Sequence, residues 1–494
     1  MQIALHCDKI IEKIKIAIAG NKQMTKKDWL HKNIFTIAIW SIVAVYTVLY
    51  ISLIFNHNIW TDEAFTLQLL RKSWGDIIKG TAVDVHPPLY YLYAKLFSLC
   101  SNNALIVQKI AAIIPMSATL IIGATLIRKE WGDKVSLLFL LFLTCIPCSM
   151  EFSVQVRMYS MALLGVTVCG IYAYFAFADG KKKNFLIFAI SGVAAAYTHY
   201  FALVAAAVIT AMLLSAILIW KKERIKAWVI STAFMIVCYL PWFPLFIKQV
   251  TRVEQDYWIP EITAETVWDC FVWTFGSENI LWLVFIFLII LKTASTYNII
   301  NIALSKNKAA IYALLCMLVP TFTTIFGVLA SVFGTPIYRD QYIFPALGML
   351  ALFFGLVVSR MKKEFVVFSC VFLIFSGGIQ YQECFYQEYK STYVPQTEAF
   401  FADNLQEDDY IIYNWEAFGF IYSCYFDDEQ LIYLEDFDFS QNFNNIWYIY
   451  TERNGLPGID KTFLDAYGLV AEDMGHYGIE HNEFEIFRIF RYNK

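Results

Sequence analysis

Apolar runs of about 18 to 24 residues, the length that carries a helix across a bilayer, recur through the first 380 residues of the chain. They parse as roughly 34–55, 104–127, 134–150, 159–178, 184–200, 201–220, 227–247, 279–300, 309–333, 341–358 and 364–380. Only 16% of the residues are Asp, Glu, Lys or Arg, against about 25% in an ordinary soluble domain, so a soluble multidomain protein is excluded. The pattern predicts an α-helical polytopic membrane protein of about 11 transmembrane helices.

Charge orients the spans. Short cytoplasmic loops are rich in Lys and Arg, and Arg128/Lys129, Lys181–Lys183, Lys221/Lys222/Arg224/Lys226, Lys306/Lys308 and Arg360/Lys362/Lys363 fall on every second loop. The basic stretch 1–33 lies on the same side, and within it residues 3–18 have the spacing of a short amphipathic surface helix. No small-residue cleavage site follows a short apolar core there, so no removable signal peptide is expected. Loops 56–103, 151–158, 248–278 and 334–340 then lie outside, together with everything after Gln380. Segment 88–101 is short and carries Tyr90, Tyr91, Tyr93 and Lys95, which suits a helix lying at the outer surface.

The last 114 residues differ in kind. Residues 381–494 hold 6 Lys/Arg and 22 Asp/Glu, net −16, whereas the first 380 hold 32 and 20, net +12. Such acidity argues against nucleic acid as a partner, and the basic part suits lipid headgroups and cytoplasm. Strand-like segments at Asp409–Asn414, Gln430–Leu434, Ile446–Thr451 and Glu485–Tyr492 alternate with helical ones at Thr397–Asn404, Glu416–Tyr425 and Lys461–Tyr467. A small α/β extracytoplasmic domain follows, with no nucleotide-binding or metal-binding motif. The expected organisation is a basic segment 1–33, a membrane domain 34–380 and a soluble domain 381–494.

Polar residues gather at the outer ends of the spans. Trp60-Thr61-Asp62-Glu63-Ala64 sets two adjacent carboxylates just after the first span, where one can act as general base while the other binds or orients. Read as plain structure, the same residues are a helix N-terminus, with Thr61 or Asp62 as cap and Glu63 in the first turn. The loop closes on Asp84-Val85-His86-Pro87-Pro88-Leu89-Tyr90-Tyr91, a polar corner stiffened by two prolines. Its structural alternative is a cap at Asp84 before a helix opened by proline.

These two segments resemble the first external loop of membrane glycosyltransferases of the GT-C fold. They are similar to bacterial relatives of protein O-mannosyltransferases and of the lipid A aminoarabinose transferase, a group like glycosyltransferase family 39. Val156-Arg157-Met158-Tyr159-Ser160, Tyr197-Thr198-His199-Tyr200-Phe201 and Tyr338-Arg339-Asp340-Gln341-Tyr342 resemble further elements of that family. One departure is Phe152 five places before Arg157, with Glu151 one place further out.

The resemblance implies a GT-C-like catalytic domain over 34–380 at the external face of the bacterial cytoplasmic membrane. The donor would be a polyprenyl phosphate sugar and the acceptor hydroxyl that of a glycan, lipid or protein, with inversion at the sugar. Asp62 and Glu63 would be the catalytic pair, and Asp84, His86, Tyr90, Arg157, Tyr159, His199, Tyr200, Arg339 and Asp340 would bind substrate. Arg157, Arg339 and His199 at external span ends, with Arg71 and Lys72 in the first loop, are the candidates to meet a departing phosphate. For the two span-end arginines the plainer reading is snorkelling, or pairing with Glu151 or Asp340. No cofactor is expected; Asp62, Asp84 and His86 leave a divalent cation open, although their spacing is not diagnostic. A transporter or a non-catalytic envelope assembly protein is the competing class, and a transporter would carry its charges at mid-bilayer in broken spans.

Overall fold

The computed structural model describes residues 26–55, 58–100, 104–253, 259, 261–276, 279–296, 308–390, 393–426, 429–451, 459–479 and 482–491. The amphipathic stretch 3–18 lies outside the described residues.

Helix α1 (Lys26–Leu53) is followed by three short helices, α2 (Thr61–Arg71), α3 (Trp74–Val83) and α4 (Leu89–Phe97), which fill the first loop. The membrane domain continues with α5 (Ala104–Ile122, helical on to Trp131), α6 (Asp133–Cys145), α7 (Pro147–Val154), α8 (Tyr159–Asp179), α9 (Lys182–Thr198) and α10 (Tyr200–Trp220). It is completed by α11 (Ile225–Tyr239), α12 (Phe243–Val253), α13 (Ala264–Phe275), α14 (Asn279–Thr296), α15 (Lys308–Phe333), α16 (Leu347–Val358) and α17 (Lys363–Lys390). Seven helices among the described residues are long and apolar enough to cross a bilayer.

Two expected spans are not straight, and a third bend joins the expected external stretch 248–278 to the span that starts at 279. The run 134–150 is bent by 73° between α6 and α7, where Ile146 takes an extended backbone and Pro147 opens the next helix. The run 227–247 bends by 63° between α11 and α12 at Pro241, and α13 with the start of α14 makes an 89° pair. Apolar patterning shows that a segment is immersed; it does not show where proline breaks it.

Helices α6 and α16 form the centre. Leu138, Phe139, Leu140, Leu143, Leu352 and Phe354 are almost wholly buried, so these helices are apolar all round, as interior helices must be. Close approach is set by Gly355, where an added Cβ would stand 2.8 Å from the Val135 carbonyl oxygen. The peripheral α1 and α17 instead turn Val45, Val48, Val371 and Ile374 outward, an apolar surface that only lipid solvates favourably.

The C-terminal domain begins with α18 (Tyr393–Asn404) and contains α19 (Glu416–Tyr422), α20 (Lys461–Tyr467) and five strands: β1 (Tyr410–Tyr413), β2 (Leu431–Tyr433), β3 (Ile446–Tyr450), β4 (Leu469–Ile479) and β5 (Asn482–Arg491). The sheet order is β2-β1-β3-β5-β4, parallel among β1, β2 and β3 and antiparallel from β3 onward. Strand β4 is absent from the sequence reading. Its Glu, Asp and two Gly are poor strand formers, and it bulges between Asp473 and His476 where Gly475 takes φ +107°. The anchor of this domain is α19, whose Phe418, Ile421 and Tyr422 share one apolar cluster with Ile59, Ala64 and Leu67 of the first loop.

The loop charges predict that this domain is external. In a chain whose native cysteines have been replaced, a cysteine at the exposed Lys461 should react with an impermeant thiol reagent in intact cells, and one at Asn184 should not. The reverse labelling would invert the topology and remove the external site with it. Ser423 is no use as a reporter, because it is 4% exposed at the docking surface.

Candidate active site

Helix α2 starts the site. Its N-cap is Trp60, and Glu63, three residues on, accepts a hydrogen bond from the Trp60 backbone N–H at 3.1 Å. The other Glu63 oxygen accepts from Val156 N at 2.7 Å, across 93 residues of sequence. The plain capping reading therefore holds for Glu63, which is 6% exposed and committed to backbone donors, and fails for Asp62. Asp62 keeps a side chain 42% exposed, and its Oδ2 lies 3.4 Å from Arg157 Nη2. Two adjacent carboxylates on one helix turn thus part company: one clamps, the other is accessible.

Glu63 ties α2 to the irregular 155–157 segment that delivers Arg157. Glu63→Gln leaves one acceptor oxygen where two are used, so about 1–3 kcal/mol of stability should be lost. Any activity should fall several-fold, less than on neutralising Asp62. Paired thermal melts and assays check this, and an unchanged melting temperature would remove the clamp.

Arg157 is the hub. Its side chain is 2% exposed, which rules out the snorkelling reading. Nη1 reaches the Asp62 carbonyl oxygen at 3.2 Å, Tyr91 Oη at 3.3 Å and Thr66 Oγ1 at 3.4 Å. Burial opposes its charge, but Asp62 and the surrounding groups more than offset this and hold the guanidinium protonated. Burial also pushes the Tyr91 phenol above its ordinary value, so it stays a phenol beside the cation.

The polar corner closes the other side. Asp84 is the C-cap of α3 and not the cap of α4; its Oδ2 lies 2.8 Å from His86 Nδ1. Burial alone would raise the Asp84 carboxyl, but His86 and Arg157 hold it below the usual carboxylate value. With the Nδ1 proton donated to Asp84, His86 Nε2 is left to accept from Arg157 Nη2 at 3.5 Å. Asp62, Arg157, His86 and Asp84 thus form one ionic chain. Among the described residues no group of three or more His, Cys, Asp or Glu side chains is placed to hold a metal ion, and here the Arg157 guanidinium stands between Asp62 and the His86–Asp84 pair.

His199 caps α10, accepting from Phe201 N at 3.1 Å, and packs between Tyr159 and Tyr342 with ring centroids 5.7 and 5.1 Å away. Tyr200 donates to Gln249, and Gln249 Nε2 donates to the carbonyls of Thr81 and Asp84 at 2.7 and 2.6 Å. His86, His199, Tyr200, Phe246 and Phe326 line a mostly apolar groove of about 360 Å³. Its lip is lipid-facing in character, since Val250 is 42% and Phe326 49% exposed.

Behind the Phe152–Tyr159–His199 wall lies a second, polar cavity of about 430 Å³, reached by Trp60 and Glu63. Arg339 and Asp340, 3.7 Å apart, line this cavity and are absent from the groove.

Three expected site residues take other places. Tyr90 is 1% exposed and packs with Leu69, Leu70 and Ile77, so Tyr91 and not Tyr90 meets Arg157. Arg71 donates to the Ser423 carbonyl at 2.8 Å and so holds the C-terminal domain. Lys72, the C-cap of α2, is exposed beyond the cavity linings.

Two solved structures of ArnT from Cupriavidus metallidurans, one in the apo state and one bound to undecaprenyl phosphate, match the chain with TM-scores of 0.61 and 0.59. Both are 10% identical, and the match covers 91% of this chain and 97% of that one. The chain has the GT-C fold. No protein-family model and no curated protein matches the sequence. Within the GT-C fold of this chain, sequence reasoning missed Gln155, Lys109 and Gln249. Lys109 carries a usable signal, a polar side chain inside an apolar helix, whereas Gln249 sits among Lys248, Thr251 and Arg252 on an amphipathic helix and Gln155 had only its place two residues before Arg157.

Proposed function

We propose that the protein is a membrane glycosyltransferase that moves a sugar from a polyprenyl phosphate donor to an acceptor hydroxyl at the external face of the cytoplasmic membrane, with inversion. The observation that carries the reading is the ionic chain Asp62–Arg157–His86–Asp84 at the head of an apolar groove. A lipid-linked donor needs that combination, an apolar bed for its chain ending in cationic and imidazole groups. The ArnT structure that holds undecaprenyl phosphate supports it from the side of fold.

In this reading the polyprenyl chain lies between α10, α12 and α15, and the phosphate sits near His86. The acceptor oxygen attacks the anomeric carbon, the bond from that carbon to the phosphate oxygen breaks, and its electron pair leaves with polyprenyl phosphate. The hydroxyl proton passes to Asp62, the accessible carboxylate. The buried charge of Arg157 keeps Asp62 in place and opposes the negative charge developing on the leaving group. His199, Tyr159 and Tyr200 shape the groove; Arg339 and Asp340 belong to the acceptor side. No step calls for a metal or cofactor.

A transporter is the second class, and bent spans are a feature it would share. Against it, the charges gather at span ends beside the first loop and not across mid-span. Purified protein in lipid nanodiscs should slowly release free sugar from at least one polyprenyl phosphate sugar. Complete inertness toward every such donor would return the protein to the transporter or scaffold class.

A further inference from the structure

The polar cavity behind the groove has a chemistry of its own. Four carboxylates, those of Glu63, Glu151, Asp340 and Glu383, line it against two cations, Lys109 and Arg339. A carboxylate excess alone would be a solvated surface. Gln155 is different: it is 7% exposed, lines the same cavity, and its Oε1 has no hydrogen-bond partner among the described residues. A buried amide oxygen without a donor is costly unless something fills the space, so the cavity wants a ligand that donates hydrogen bonds.

Position says which ligand. Glu63 reaches the cavity from the residue next to Asp62, and Gln155 lies two residues before Arg157, so the cavity abuts the ionic centre on the side away from the apolar groove. Trp60 and Trp273 add aromatic walls of the kind sugar rings stack on. Resting on the glycosyl-transfer reading above, we propose that this cavity is the acceptor subsite and that it takes a hydroxyl-rich, amine-bearing sugar. The hydroxyls and ammonium donate to Gln155 and to the more open carboxylates of Glu151 and Glu383, and phosphorylated or uronic sugars are repelled by the net negative charge of the lining. A hydroxyl of that sugar is the one whose oxygen attacks and whose proton Asp62 accepts.

The test uses full-length protein in nanodiscs with the polyprenyl phosphate sugar found active in the hydrolysis assay, and three acceptors: a methyl hexoside, a methyl hexosaminide with free amine and a methyl hexuronide. Transfer efficiency should be highest for the hexosaminide and at least tenfold lower for the hexuronide. Gln155→Leu and the exposed Glu151→Gln should each raise the hexosaminide KM at least fivefold, by more than any fall in kcat. Separately, and without any donor, the methyl hexosaminide should protect Glu151 and Glu383 from carbodiimide labelling read by mass spectrometry. Equal use of the hexuronide, unchanged KM in both variants, or absence of protection would each overturn the subsite. Protection with no donor turnover would uphold the subsite and defeat the proposed reaction.

Discussion

An Asp62→Asn protein should insert, fold and take up donor normally, and transfer sugar at no more than about one hundredth of the wild-type rate. Asn keeps the volume of Asp62 and a hydrogen-bonding oxygen toward Arg157 Nη2, 3.4 Å away in the wild type. What it loses is the capacity to take a proton as the acceptor bond forms, typically worth about 10² to 10⁴ in rate. Asp62 is itself half-exposed, but it is the main charge that offsets the buried Arg157 guanidinium, so neutralising it costs stability as well, and a melting curve separates that cost from the chemical one. Glu63→Gln should show the opposite balance, more loss of stability and less of rate. An Asp62→Asn enzyme that keeps more than about a tenth of wild-type transfer would move the base elsewhere, with Asp84 next in line.

That contrast between neighbours marks the limit of what sequence could disclose. Asp62 and Glu63 are indistinguishable in composition, and both suit a first helical turn. Their roles are parted by Val156, 93 residues away in sequence from Glu63, whose N–H claims the Glu63 carboxylate. Tyr90 and Tyr91 divide in the same way, one facing the Leu69–Ile77 packing and the other Arg157. Residue type at a motif was legible; which member of a pair faces the site depends on the long-range contact.

The membrane domain was more legible, because the bilayer imposes one length and one polarity on every crossing helix. What escaped was geometry within a run: the bend at Pro147 that sends α7 off by 73° is invisible to hydropathy, yet it leads the chain into the Gln155–Arg157 segment. The docking of α19 on α2 also escaped. Its Phe420 ring meets Phe65 edge-on at 5.9 Å, and a seven-residue helix in an acidic domain carries no sign of where its apolar face will land.

Arg157 is where the structure most changes an expectation. Read from sequence, a span-end arginine can be replaced by Ala with its binding role lost and its fold kept. Enclosed to 2%, and touching Asp62, Thr66, Tyr91 and His86, it cannot be removed so cleanly. Arg157→Ala leaves buried oxygens of Tyr91 and Thr66 without their donor, and it removes the cation facing Asp84. Stability should drop by about 1–3 kcal/mol for each oxygen so stranded. Transfer by the surviving folded fraction should fall by at least about 10- to 150-fold, the equivalent of one charge-assisted contact of about 1.5–3 kcal/mol. Arg157→Lys separates charge from shape: it keeps the charge near Asp62, but one ammonium cannot reproduce both the Nη2 contacts to the Asp62 carboxylate and His86 and the Nη1 contacts to Thr66, Tyr91 and the Asp62 carbonyl. It should therefore recover much of the stability and only part of the transfer. Full transfer by Arg157→Lys would reduce the arginine to a point charge, and wild-type transfer by Arg157→Ala at equal folded protein would take it out of the site altogether.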